Sequence, residues 1–326
     1  MRGFASPPLP CSPAPPLPCP PSPMTDVIAV LTQNILPIFV VAFFGFVLQK
    51  WKHLDKKALS TAVLYIFSPA LVFHSLVNTQ LAGNEMGRLI LYTIAVIFSM
   101  GLLAWLVARA LKLSRSDTAL LLLVVMFGNA GNYGLTLNKL RYGEDGLSLA
   151  IVYYITSTIM VYTVGMFIAS AGQMAWRDAL AKLLRLPPVH AVVLAMVVYN
   201  FHITVPAPVM RGVELAGQAT IPLMIIVLGM QLADLHGKPT WKLTIPAVSL
   251  RLLVSPFIAV FVAGVMGLSG LGRSVSIVEV MMPTAVITMI IASEFDMNQT
   301  AVTSIVAIST LLSPFTIAVA ITLLGL

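Results

Sequence analysis

The sequence predicts an all-α integral membrane protein of ten transmembrane helices, arranged as two inverted five-helix repeats in which helices four and nine are broken. Three observations predict it. Of 326 residues, 58% are hydrophobic and only 10% charged, where a soluble domain carries roughly 25%, and the mean hydropathy is +0.95. The apolar runs recur near the ~20 residues that cross a bilayer as helix. They are continuous rather than alternating, which argues for helices over a β-barrel.

The first 23 residues, MRGFASPPLPCSPAPPLPCPPSP, hold ten prolines. Proline donates no backbone hydrogen bond, so residues 1–23 read as a disordered leader, and without an apolar core they are not a secretion signal. Met24 opens MTDVIAVLTQNILPIFVV and reads as the biological start. Both cysteines, Cys11 and Cys19, lie in the leader. The chain beyond it therefore offers no disulfide framework, thiol catalysis or thiolate metal site.

Ten apolar segments follow, at about 27–48, 57–77, 87–111, 117–141, 147–171, 189–204, 209–234, 241–267, 273–295 and 299–325. The longest connection, GQMAWRDALAKLLRLPP at 172–188, divides them into repeats at 24–171 and 189–326. Five is odd, so the second half enters the bilayer in the opposite orientation, as in an inverted repeat. The net charge of +7 is spread through short loops, a topological signal rather than a nucleic-acid footprint. Twelve basic residues fall on one side and six on the other, which assigns the first set to the cytoplasm and both termini to the outside; the nineteenth, Arg251, lies inside segment eight.

Four segments carry helix-breaking residues at corresponding places. Segment two contains FSPALVFHSL with Pro69, and segment seven TIPLMIIVLG with Pro222. Segment four contains MFGNAGNYG, and segment nine VMMPTAVIT with Pro283. Asn129 lies about 18 Å into its segment and Pro283 about 15 Å into its own, both near the midplane of a ~30 Å core. A break in lipid frees backbone groups that protein, water or ligand must complete. Paired midplane breaks in inverted halves point to a substrate site, where helix N-termini offer N–H groups to an anion and carbonyl ends can hold a cation.

On this reading Gly128, Asn129, Gly131, Asn132, Pro283 and Thr284 form the site, and Pro69 and Pro222 break the flanking helices. Gly128, Gly131 and Gly134 recur every three residues and leave a bare face for another helix. The plainer reading has the glycines pack helices and the asparagines bond a neighbouring backbone. All seven aspartates sit in loops or at helix ends. Glu279 is the one carboxylate well inside a segment, and a candidate proton carrier. Arg251 either grips a substrate carboxylate with its fork or locks the scaffold by pairing with Glu279 or helix-end carbonyls. His74, five residues beyond Pro69, is read as a coupling candidate against a packing role.

The motifs SPALVF, FGNAGNYGL, LRLLVSPF, MMPTAV and ISTLLSP resemble the auxin efflux carrier family in its bacterial branch, over nearly all of residues 24–326. The resemblance implies a fold similar to sodium/proton antiporters and bile-acid symporters, with the fourth and ninth helices unwound and crossing. It implies a permease of the inner (plasma) membrane for small organic anions, auxin in plants and malate or malonate in bacteria, and a homodimer. The family's first crossover proline and its asparagine fall on Gly128 and Asn129, and its second proline on Pro283. Glycine thus replaces the first proline, and the asparagine often found after the second is absent from TAVITM.

An enzyme reading rests on GLSG at 267–270, similar to the serine motif of intramembrane rhomboid proteases. That chemistry needs a general-base histidine on a later helix, and the last histidine, His236, lies upstream. Neither H-E-x-x-H nor a P-loop is present. The expectation is a secondary carrier with no cofactor and no metal, with H⁺ or Na⁺ as candidate coupling ions. A channel, or a receptor that does not transport, is the alternative on the same fold.

Overall fold

The computed structural model describes residues 23–78, 83–170, 177, 181, 184–233 and 239–326. The leader up to residue 22 and most of the 172–188 connection lie outside the described residues. Within them the chain is helical, with one isolated antiparallel bridge.

The helices are α1 (Asp26–Lys52), α2 (Lys56–Asn78), α3 (Glu85–Ala110), α4 (Arg115–Met126), α5 (Ala130–Ala169) and α6 (Pro187–Asn200), followed by α7 (Ala207–Ala233), α8 (Trp241–Val265), α9 (Gly270–Val280), α10 (Ile287–Glu294) and α11 (Gln299–Leu324). Seven of them, α1, α2, α3, α5, α7, α8 and α11, are long and apolar enough to cross a membrane. The broken segments account for part of the difference from ten. At 12 and 11 residues, α4 and α9 each reach about 16–18 Å, half a bilayer.

Local chemistry sets the boundaries. Asp55 caps α2 by accepting from Lys57 N at 2.9 Å, Ser114 caps α4 from Asp117 N at 3.1 Å, and Asn298 caps α11 from Ala301 N at 3.1 Å. Inside α5, Gly143 takes φ 70° and ψ −157°, a left-handed corner that separates the arm of residues 130–142 from the span beyond. The GLSG stretch is a turn of the same kind, with Gly267 and Gly270 at φ 65° and 57° leading into α9.

The flanking prolines do not break their helices as the sequence suggested. Helix α2 runs on through Pro69 because the turn before it, Val63–Phe67, widens to π geometry, which makes room for the ring that would meet a carbonyl in the previous turn. Pro222 sits inside continuous α7. The helices meet at this level, where Thr220 Oγ1 donates to Phe67 O at 2.8 Å.

Helix α1 packs chiefly on α7, and α6 on α2. Glycines bring the first pair together: a Cβ at Gly45 would strike the Ile226 carbonyl, and one at Gly229 the Ala42 carbonyl. Helix α3 packs on α4, α5 and α8, while α8 also contacts α9 and α11. The buried core runs through the helix breaks, taking in Phe127, Tyr133, Val280 and Met282. Phe43, Phe44, Trp51, Phe257, Phe261 and Phe315 instead point outward, the apolar exterior of a protein whose solvent is lipid.

Candidate functional site

The two breaks cross one another. Helix α4 ends at Met126 and Phe127 turns extended, at φ −111° and ψ 113°. Gly128 then pairs antiparallel with Thr284. Asn129 N donates to Pro283 O at 2.7 Å and Ala285 N to Phe127 O at 3.0 Å. Backbone groups freed from two helices thus complete each other in the protein interior, as buried N–H and C=O groups must.

Each glycine of FGNAGNYGL makes room for a different side chain. A Cβ on Gly128 would overlap the Arg251 guanidinium, and one on Gly134 the Glu279 carboxylate. At Gly131 it would lie 2.8 Å from the Tyr154 ring. The bare helix face expected from the spacing is therefore three separate seats, because the chain changes direction between Gly128 and Gly131.

Arg251 lies in the π turn Leu250–Val254 of α8 and is 1% exposed. Its Nε donates to Met282 O at 2.8 Å, one terminal nitrogen to Val125 O at 3.1 Å and the other to Val280 O at 2.9 Å. One cation closes the carbonyl ends of both α4 and α9, where the helix dipoles are negative. Thr284 finishes the job: Oγ1 donates to Val124 O at 3.1 Å, and its N–H donates to Ser309 Oγ at 3.2 Å. Thr284 and Arg251 face inward, onto the scaffold.

The amide ends are different. Among the described residues no backbone carbonyl accepts from Gly131 N or Asn132 N at the start of α5, nor from Val286 N or Ile287 N at the start of α10. Asn129 is 5% exposed with Nδ2 unpartnered. Gly128, Gly131 and Asn132 are half-buried and Pro283 is buried. Tyr154, against Gly131, reaches within 3.5 Å of the Ser68 hydroxyl beside Pro69. This joins α2 to the crossover. His74, further along α2 and half-buried, has no hydrogen bond or ion pair to the crossover among the described residues.

Glu279 stands apart from Arg251, with no ion pair within 4.0 Å between them among the described residues. It is 0% exposed, and its Oε1 accepts from Asn138 Nδ2 at 2.9 Å. Asn138, Tyr154 and Ser309 do not stand out in the sequence as site residues. Ser309 lies within the ISTLLSP motif, the one signal that could have found it, whereas Asn138 sits in a run that reads as a polar helix end.

The family described as membrane transport protein matches residues 30–177 and 176–321. An uncharacterized transporter of Methanothermobacter thermautotrophicus is 27% identical over 290 residues, 86% of this chain and 94% of the relative. Another, of Methanocaldococcus jannaschii, is 24% identical over 292 residues, covering 87% and 94%. With both arms of the crossover inside the matched residues, the chain belongs to the membrane transport protein family, that of the auxin efflux carriers.

Proposed function

We propose that the protein is a secondary carrier that moves a small organic anion, a carboxylate, across the plasma membrane by alternating access at the crossover. One observation carries the reading. The carbonyl ends of the broken helices are closed by Arg251 and Thr284, while the N–H ends at Gly131, Asn132, Val286 and Ile287 have no backbone partner among the described residues. What is left open is the positive end of two helix dipoles at bilayer mid-depth, an anion site by construction. Asn129 and Asn132 add amide donors, and Gly128 and Pro283 keep the two strands crossed.

The packing supports two inverted five-helix repeats over ten spans. The pairs α1 with α7 and α6 with α2 exchange under a relation that maps the first helix of one half onto the first of the other. Those four helices form a frame against which the crossover bundle rocks. The ratio of twelve basic residues to six across the loops supports an orientation with both termini outside the cytoplasm. A homodimer, as in the resemblance, is the assembly we adopt.

Proteoliposome uptake of radiolabelled malate and malonate tests this. Saturable uptake with counterflow is expected, and Asn129→Ala should abolish it. Conductance without counterflow would make the protein a channel. Uptake unchanged in Asn129→Ala would remove that residue from the site.

A further inference from the structure

The anion site leaves one buried charge unused. Glu279 lies on α9 just before the break, wedged against the arm of segment four: a Cβ on Gly134 would overlap its carboxylate. Asn138 Nδ2 donates both to Glu279 Oε1, at 2.9 Å, and to Gly134 O, at 3.0 Å. Two acceptors in this cluster, Glu279 Oε2 and Asn138 Oδ1, are buried with no partner.

The groups around it do not remedy this shortage of donors. Arg251 on α8 acts on Glu279 electrostatically, but its guanidinium is bonded to three carbonyls. Tyr153 on α5 feels both charges, and Tyr133 on the same helix lies beside Ser313. A buried ionised carboxylate needs partners on both oxygens. A proton on Oε2 removes the charge and turns one of the two unpaired acceptors into a donor. The other acceptor sits on the residue that already holds Oε1.

We propose that Glu279 is a proton-binding site of the carrier, and that its protonated carboxyl fastens α9 to the segment-four arm at Gly134 and Asn138. The proton comes from bulk water and returns to it, forming and breaking one O–H bond at the carboxyl. Since Glu279 is 0% exposed, exchange requires α9 to move away from that arm, which ties proton release to the motion that opens the crossover. Arg251 already occupies three carbonyls at these helix ends, Val125 O, Val280 O and Met282 O. The assignment rests on the carrier reading.

Infrared difference spectra of the purified protein in lipid, recorded between acid and alkaline pH without substrate, test the site itself. A titrating carboxyl C=O band is expected in the wild type, absent from Glu279→Gln and displaced in its midpoint in Asn138→Leu. The same band in wild type and Glu279→Gln overturns the proposal. Proteoliposomes loaded with a pH dye and given malate or malonate test the coupling. Wild-type uptake should acidify the lumen, and Glu279→Gln should lose that acidification. Uptake driven by sodium, or proton movement equal in both proteins, overturns the coupling. If wild type moves neither carboxylate, the carrier reading loses its substrate class, and the infrared result still decides whether Glu279 binds a proton.

Discussion

The two crossing stretches adopt one backbone geometry by opposite chemistry. At the first, nothing prevents the chain from donating hydrogen bonds, and the break depends on what enters: Gly128 has no Cβ, and the Arg251 guanidinium fills its place. At the second, Pro283 has no N–H to give, so its carbonyl alone takes part, accepting from Asn129 N. One stretch is opened by a missing side chain and the other by a missing donor. Glycine and proline both interrupt helices, yet here they are not exchangeable. A proline at 128 would bring a Cβ onto Arg251.

The largest effect should come from the group both stretches share. Arg251→Met keeps much of the volume and leaves Val125 O, Val280 O and Met282 O without their donor. Each unsatisfied buried acceptor costs about 1–3 kcal/mol, so a loss of about 3 kcal/mol or more is expected, read as a fall in the melting temperature of the purified protein. A variant as stable as wild type would mean that the carbonyl ends find other donors and that Arg251 is free to meet substrate.

Next is Gly128→Ala. The added methyl must displace the guanidinium from its three carbonyls, so the cost should be about 2–3 kcal/mol, well above the ~1 kcal/mol typical of a substitution. Combining it with Arg251→Met should give much less than the sum, because both changes remove the same contacts. Full additivity in melting measurements would separate the two residues and break the comparison. Gly128→Pro, which restores the residue the resemblance places there, should fail in the same way and for the same reason.

The breaks themselves were legible because they violate the pattern: glycine, asparagine and proline near mid-depth of an apolar run have no reason to be there unless something completes the backbone. Their partners were not. Arg251 bonds carbonyls 126, 29 and 31 residues away, and no spacing rule reaches across three helices. The glycine triplet misled in an instructive way. Counting by three assumes one straight helix, and the chain is extended at Phe127 and bridged at Gly128, so the three positions face Arg251, Tyr154 and Glu279 instead of a common neighbour. Pro69 misled conversely: proline in an apolar run reads as a break, but the widened turn at Val63–Phe67 absorbs it. The long helices were legible as apolar runs, although seven among the described residues, not ten, are long and apolar enough to cross a membrane.

Pro283→Ala should have the smallest effect, and it tests the comparison from the other side. The substitution adds no bulk, and the buried neighbours Met282 and Thr284 keep their bonds to Arg251 and Ser309. Its cost comes mainly from the unfolded chain, which gains the freedom that the ring denied it, about 0.4–1 kcal/mol. The new N–H at 283 also has a helical acceptor within reach, since Met282 N already donates to Glu279 O at 3.3 Å and α9 could lengthen by one residue. That would compete with the bridge to Gly128 while giving the new N–H a partner. Melting should therefore fall by much less than in Gly128→Ala. Transport should fall more than stability does, because the position of the strands, not their packing, is what a longer α9 disturbs. Equal destabilisation at the two positions would show that the crossover tolerates neither change for a local reason, and that the two chemistries are one.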